Sequence, residues 1–311
     1  METPRGVPTL GALGALRDAI AATSVEAGAE RAGDLRARLL AELEGHLIPR
    51  VAHPQAPVLV ALTGPTGSGK STLVNSLARK VVSPAGALRP TTRAPILAHR
   101  AEDTRWFPGD RRRVPAWNSV HAVVSAHLPA GVALLDTPDV ESARSPQHGC
   151  TEQLLAVADV WLFVTTATRY ADAVPWHAMA SASGRQTDLA VVLDRVLPDA
   201  AVTISEDLLW MMSNYGLTDA VLLVVPETQQ TGGRLPEPAV EPVRSWLQSL
   251  SSDGARRAEV LRRTLAGAVA ALTDPVAELQ RLVGGDARLG AAVAALGGPP
   301  ETVRPAPMVR T

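Results

Sequence analysis

The chain has 311 residues, 46% of them hydrophobic, with 30 basic side chains against 31 acidic ones and a formal charge of -1. Such a composition fills a globular core, and its charge balance provides neither a basic field to hold nucleic acid nor an acidic excess to repel it, so charge does not set the partner class; no nucleic-acid partner is expected. A single cysteine, Cys150, excludes an internal disulfide framework and accords with a reducing compartment.

The N-terminal stretch carries Glu2, Arg5 and Pro8 and closes on Arg17 and Asp18, which is unlike a secretory signal. A cytoplasmic location is therefore expected. Leu35, Leu39, Leu40, Leu43 and Leu47 recur at helical spacing and predict an amphipathic helix before the main domain, broken by Pro49, Pro54 and Pro57. Val58 to Leu62 then forms a short apolar run of the kind that makes a buried parallel strand.

Directly after it, Gly64-Pro65-Thr66-Gly67-Ser68-Gly69-Lys70-Ser71 matches G-x-x-x-x-G-K-[ST], and a helical segment from Thr72 to Lys80 follows. Glycines let successive backbone N–H groups turn around phosphates, and the helix N-terminus adds its positive end. Lys70 neutralises the β and γ oxygens, and the Ser71 hydroxyl is a magnesium ligand. The lysine is informative because only Lys70 and Lys80 occur among the 30 basic residues. A compact ammonium enters a phosphate cradle where a planar guanidinium is too wide.

Arg89-Pro90-Thr91-Thr92-Arg93 is a polar segment with little helical or strand pattern. It reads either as a β-turn with incidental threonines or as a loop whose Thr92, or alternatively Thr91, closes over the metal when a γ-phosphate is present. Arg111 to Arg113, near Trp106 and Trp117, reads as a solvated loop. His121 to Leu128 is expected as a strand beside Val132, joined to it by the Pro129 to Gly131 turn. The strand Val132 to Leu135 runs into Asp136-Thr137-Pro138-Asp139, which puts the Asp136 carboxylate at a strand tip where it can complete a magnesium shell.

Further buried strands are expected at Val160 to Thr165, Leu189 to Leu193 and Val221 to Val225. Their alternation with helices implies an α/β fold, a mostly parallel sheet of the P-loop NTPase type with helices on both faces. After Pro238 the pattern is helical through Trp246 and again from Ala255 to Val283, with a break at Pro275. The flanking N- and C-terminal helices are expected to form a bundle. The expected domains are a helical segment at 1–55, the nucleotide domain at 56–250, C-terminal helices at 251–296 and a proline-rich disordered tail at 297–311.

The segments GPTGSGKSTLVNSLA from Gly64, RPTTRAP from Arg89, LLDTPDVES from Leu134, TATRYADAVPW from Thr166 and VVLDRV from Val191 resemble those of bacterial, actinobacterial-type dynamin-like GTPases, within the translation-factor class of P-loop proteins. That resemblance implies magnesium-dependent GTP and GDP binding, GTP hydrolysis, a nucleotide-dependent homodimer or a related dynamin-like partner, and peripheral work at the inner face of the membrane. It gives Lys70, Thr92 and Asp136 catalytic roles and makes Ser71, Thr92 and Asp136 the metal ligands. Gly64 through Thr72 are then the phosphate-binding residues.

Departures from the family pattern are informative. Asp139 stands where the D-x-x-G motif has glycine, and Thr66 and Gly67 stand where dynamins have glutamine and serine. Slow hydrolysis follows, or a nucleotide-sensing module with little hydrolysis. The base motif N-K-x-D corresponds to Asp194, Arg195, Val196 and Leu197, which lacks the carboxylate that reads guanine and keeps an ATPase reading open. Arg195 can stack on the base, and Glu227, in the loop after the last strand, is an alternative acceptor. Tyr170, Asp172 and Trp176 are expected to pack at the edge of the switch region.

Overall fold

The computed structural model describes residues 8–26, 29–83, 94–107, 115–138, 148–171, 176, 179 and 187–296. Two compact units are present. The sheet-bearing unit takes His53–Ala268, and the other joins the residues up to Ala52 with those from Val269 onward.

Seven strands form one sheet: β1 (Val58–Thr63), β2 (Ile96–His99), β3 (His121–Val124), β4 (Val132–Asp136), β5 (Val160–Thr166), β6 (Asp188–Val196) and β7 (Val221–Pro226). Their order is β3-β2-β4-β1-β5-β6-β7, and only the β2–β4 pairing is antiparallel. Strand side chains alternate between faces, so each face carries its own core. Val58, Val60 and Leu62 of β1 pack with Leu73, Val74 and Leu77 of helix α4 (Lys70–Leu77) and with Val240, Val243 and Leu247 of α7 (Glu237–Ser252). Leu59 and Ala61 face the opposite way. They join Leu154 of α5 (His148–Ala156), Leu208 and Met212 of α6 (Ala201–Asn214), and Trp176.

One polar tie runs through the end of the sheet away from the phosphate loop. Asp159 accepts the Leu59 N–H at 2.7 Å through its carboxylate, and its own N–H donates to the Leu59 carbonyl. The Thr264 hydroxyl, on helix α8 (Gly254–Leu282), donates to the Asp159 carbonyl at 2.9 Å. Buried backbone at the start of β1 and β5 is thereby satisfied.

Three expectations about elements are corrected. β3 does not lie beside β4, because β2 pairs with both and sits between them. Pro49 does not end the N-terminal helix: α2 (Glu30–Glu42) runs into a π-helical turn at Leu43–Leu47 and on into α3 (Ile48–Ala52). The Ile48 N–H reaches back to the Leu43 carbonyl, and this wider register relieves the clash of a proline ring with the carbonyl four residues earlier. Pro275 likewise lies inside α8 without ending it.

In the second unit, Leu13, Leu16 and Ile20 of α1 (Leu10–Ala21), Leu39 of α2, and Leu289 and Leu296 of α9 (Ala287–Leu296) are buried. Chain ends thus meet in one helical assembly, with α1 packed against α2, α3 and α9. Arg111 to Arg113 and the segment from 297 lie outside the described residues.

Candidate nucleotide site

β1 is flanked by β4 on one side and β5 on the other, and all three run parallel. A parallel sheet opens a crevice at the carboxyl ends of its strands where connections diverge to opposite sides, and the loop from Gly64 to Gly69 lies there. Two of its glycines are dictated by close approach. Gly64 has φ 141°, and a Cβ there would come within 2.1 Å of the Val164 carbonyl oxygen. Gly69 has φ 100°, and a Cβ there would meet Asp194 Oδ2 at 2.2 Å.

The loop's carbonyls are held by cations from three directions. Lys70 Nζ donates to Gly64 O at 2.8 Å and Pro65 O at 3.0 Å. Arg169 Nη1 donates to Thr66 O at 2.7 Å, and the Arg195 guanidinium donates to Gly67 O. In a planar trans peptide the N–H of the next residue points opposite to the carbonyl. Drawing the Thr66 carbonyl to Arg169 therefore turns the Gly67 N–H away from it, the orientation in which a loop presents a donor to an anion, while the Ser68 N–H donates to the Pro65 carbonyl at 3.2 Å. Ser68 is fully buried, and its hydroxyl has no hydrogen-bond partner. Thr72 sits half-buried in the first turn of α4.

Ser71 and Asp136 are brought together by this packing: Ser71 Oγ donates to Asp136 Oδ2 at 2.8 Å. Asp136 is wholly buried at the end of β4, in register with Leu62. A second hydroxyl, Ser83 Oγ, donates to the same oxygen at 2.6 Å. Asn75 of α4 sets Ser83 in place, accepting the N–H groups of Val82 and Ser83 and donating to the Ser83 carbonyl. A buried carboxylate beside a hydroxyl is the hard oxygen donor set that suits magnesium, so Ser71 and Asp136 fit that ion. Thr91, Thr92, Asp139 and Asp172 lie outside the described residues.

Asp194 and Arg195 lie near the end of β6. Arg195 adopts φ 58°, a left-handed conformation uncommon for a residue with a side chain, and this turns its guanidinium back to the loop. It is thus placed as a loop-holding group. Leu197 is 59% exposed and offers no hydrogen bond to a base. The Glu227 N–H donates to Val196 O at 2.9 Å, which brings Glu227 beside the end of β6. Burial pushes the Asp194 carboxyl up to about 6, against the opposing pull of Arg195 and with a smaller push from Glu227.

Tyr170 donates its hydroxyl to Asp207 Oδ2 at 2.7 Å, and Trp176 Nε1 donates to Tyr170 O. Both side chains pack against α6, with Trp176 stacked on Tyr215 at 5.1 Å. Ser83, Asn75 and Arg169 are site residues that sequence reasoning did not assign. Arg169 lay within a quoted family segment, but nothing local marks which carbonyl a single arginine will reach.

The family model for "50S ribosome-binding GTPase" matches residues 59–194, a span that starts in β1 and stops within β6. No curated protein matches the chain. Among solved structures it resembles a variant of Era from Aquifex aeolicus bound to GDP and aluminium fluoride, at 20% identity over 53% of this chain and 50% of that one, with a TM-score of 0.38. It also resembles a member of an oligomerised bacterial dynamin pair, at 11% identity over 88% of this chain and 46% of that one, with a TM-score of 0.44. A third is Toc33 from Arabidopsis thaliana with Mg2+ and GMPPNP, at 13% identity over 68% of this chain and 91% of that one, with a TM-score of 0.40. The chain spans about half the length of the first two. Such distant likenesses carry no information about activity. Residues 59–194, with the loop they contain, are thus similar to a P-loop GTPase domain.

Proposed function

We propose that this protein binds GTP and GDP with magnesium and hydrolyses GTP slowly, as a dynamin-like GTPase whose nucleotide state controls its conformation or its dimerisation. The observation that carries the reading is the loop itself: Lys70, Arg169 and Arg195 hold the carbonyls of residues 64–67, while Ser71 and Asp136 meet beside the start of α4. Lys70 is already placed across the mouth of the loop, so an incoming β or γ oxygen finds its ammonium without a large rearrangement. Backbone N–H groups and the N-terminus of α4 hold the remaining phosphate charge.

Ser71 and Asp136 would hold magnesium, with Thr92 the further ligand that the resemblance implies, and the ion would supply positive charge against the γ-phosphate. This chain's own residues orient the triphosphate and present donors to it. The resemblance to dynamin-like sequences supports a homodimer or a related dynamin-like partner, in a cytoplasmic setting peripheral to the inner face of the membrane. Among the described residues no helix is long and apolar enough to cross a membrane.

A single-turnover assay with radiolabelled GTP tests the reading. The unmutated chain releases phosphate slowly, and Lys70→Ala lowers nucleotide affinity by roughly ten- to a hundred-fold, the range for a lost hydrogen bond to a charged group. Equal affinity and turnover in the two proteins would remove the site assignment.

A further inference from the structure

Asp194 and Arg195, next to each other at the end of β6, both touch the phosphate loop. The Asp194 Oδ2 lies against Gly69, the residue that opens α4, so closely that a methyl group there would overlap it. Its Oδ1 is buried and has no hydrogen-bond partner. Among the described residues Arg195 is the charge that favours an anion at this position, and its pull does not outweigh burial. On its own strand Arg195 is turned to Gly67 O and stays 3.7 Å from Oδ2. After β7 comes Glu227, of the same sign. From β5 the register partner is the uncharged Thr166, and from α4 the Lys70 ammonium is bonded to Gly64 O and Pro65 O.

An ionised carboxyl here places negative charge next to the helix start that receives phosphates. Each nucleotide phosphate adds further negative charge to the same low-dielectric space. Repulsion from those phosphates favours the neutral acid, which is also the same size and shape as a carboxamide.

We propose that Asp194 couples nucleotide binding to proton uptake: the loop receives its nucleotide with Asp194 protonated and loses it more readily with Asp194 ionised. The proposal rests on the phosphate-loop reading above. Burial already holds this carboxyl near 6 in the empty loop. Bound phosphates raise it further by like-charge repulsion, so near neutral pH a proton enters with the nucleotide.

Calorimetric titration of the full chain with GDP and magnesium tests this, run at pH 6.5, 7.5 and 8.5 in buffers of unequal ionisation enthalpy. Asp194→Asn and Asp194→Ser serve as comparison proteins, the second in case the first fails to fold. The free nucleotide's terminal phosphate titrates near pH 6 on its own, so the difference between proteins is what is read. The unmutated chain should take up more protons per GDP than either variant near pH 7.5. Its affinity should fall about tenfold more than theirs between pH 6.5 and 8.5, one coupled proton giving at most tenfold per pH step. Equal uptake and equal pH slopes would overturn the coupling and leave the nucleotide site standing. No binding of GDP at any pH would instead remove the phosphate-loop reading, and the coupling with it.

Discussion

The Asp194 carboxyl also makes a prediction about the empty protein. Its pKa is raised from the ordinary 3.8 to about 6, chiefly by burial, so between those values the folded chain binds more protons than the unfolded one. A raised carboxyl contributes stability that is fully present below about pH 4 and is lost as pH rises through about 6. Relative to Asp194→Asn, the unmutated chain should therefore lose about 3 kcal/mol between pH 4 and pH 8. Urea unfolding of both proteins at the two pH values measures it, and a constant difference would mean the carboxyl is not buried. Leu197 makes a second residue-scale prediction. It is exposed, and the sequence resemblance sets it against the carboxylate of N-K-x-D, so on that reading Leu197→Asp should raise the preference for GTP over ATP by roughly tenfold or more, read from competition binding. Strong exclusion of ATP by the unmutated chain would point instead to Glu227 or to backbone in its loop.

At the scale of elements, the strand-loop-helix unit from Val58 to Leu77 was legible because its signals are local: an apolar run, a glycine spacing and a helical pattern in direct succession. Other elements were not. β2 is four residues long, Ile96–His99, too short to show a period, and it belongs to the sheet through its pairings alone. Missing it put His121 to Val124 beside the wrong neighbour. Pro49 and Pro275 read as breaks because a sequence shows the ring but not the register that accommodates it. Within the site, Lys70, Ser71 and Asp136 were readable from motif spacing, whereas Ser83 reaches Asp136 only because Asn75 fixes its loop. β4 illustrates the cost of losing a central strand's packing. Leu134→Ala removes a fully buried side chain facing α4 and α7, and should destabilise the sheet-bearing unit by about 2 to 5 kcal/mol in urea unfolding. A loss under about 1 kcal/mol would show that the core there can collapse around the gap.

For the whole molecule, the family match covers the sheet from β1 to β6, and the helices gathered from both ends of the chain lie beyond it. Thr264 of α8 is tied to Asp159, just before β5, within the sheet-bearing unit. A nucleotide-dependent change of assembly is the outcome expected for a dynamin-like protein. Light scattering should show dimer with a non-hydrolysable GTP analogue and monomer with GDP; a monomer under both conditions counts against the dynamin-like subtype while leaving the nucleotide site intact. The central claim, a magnesium-assisted guanine-nucleotide site on the Gly64 to Ser71 loop, is tested most directly by titrating GTP into the chain by calorimetry, with magnesium and with a chelator in its place. The account predicts one site per chain, weakened when magnesium is withheld and again in Ser71→Ala, since that hydroxyl and Asp136 form the metal's oxygen pair. GTP binding that is indifferent both to magnesium and to Ser71→Ala would contradict it.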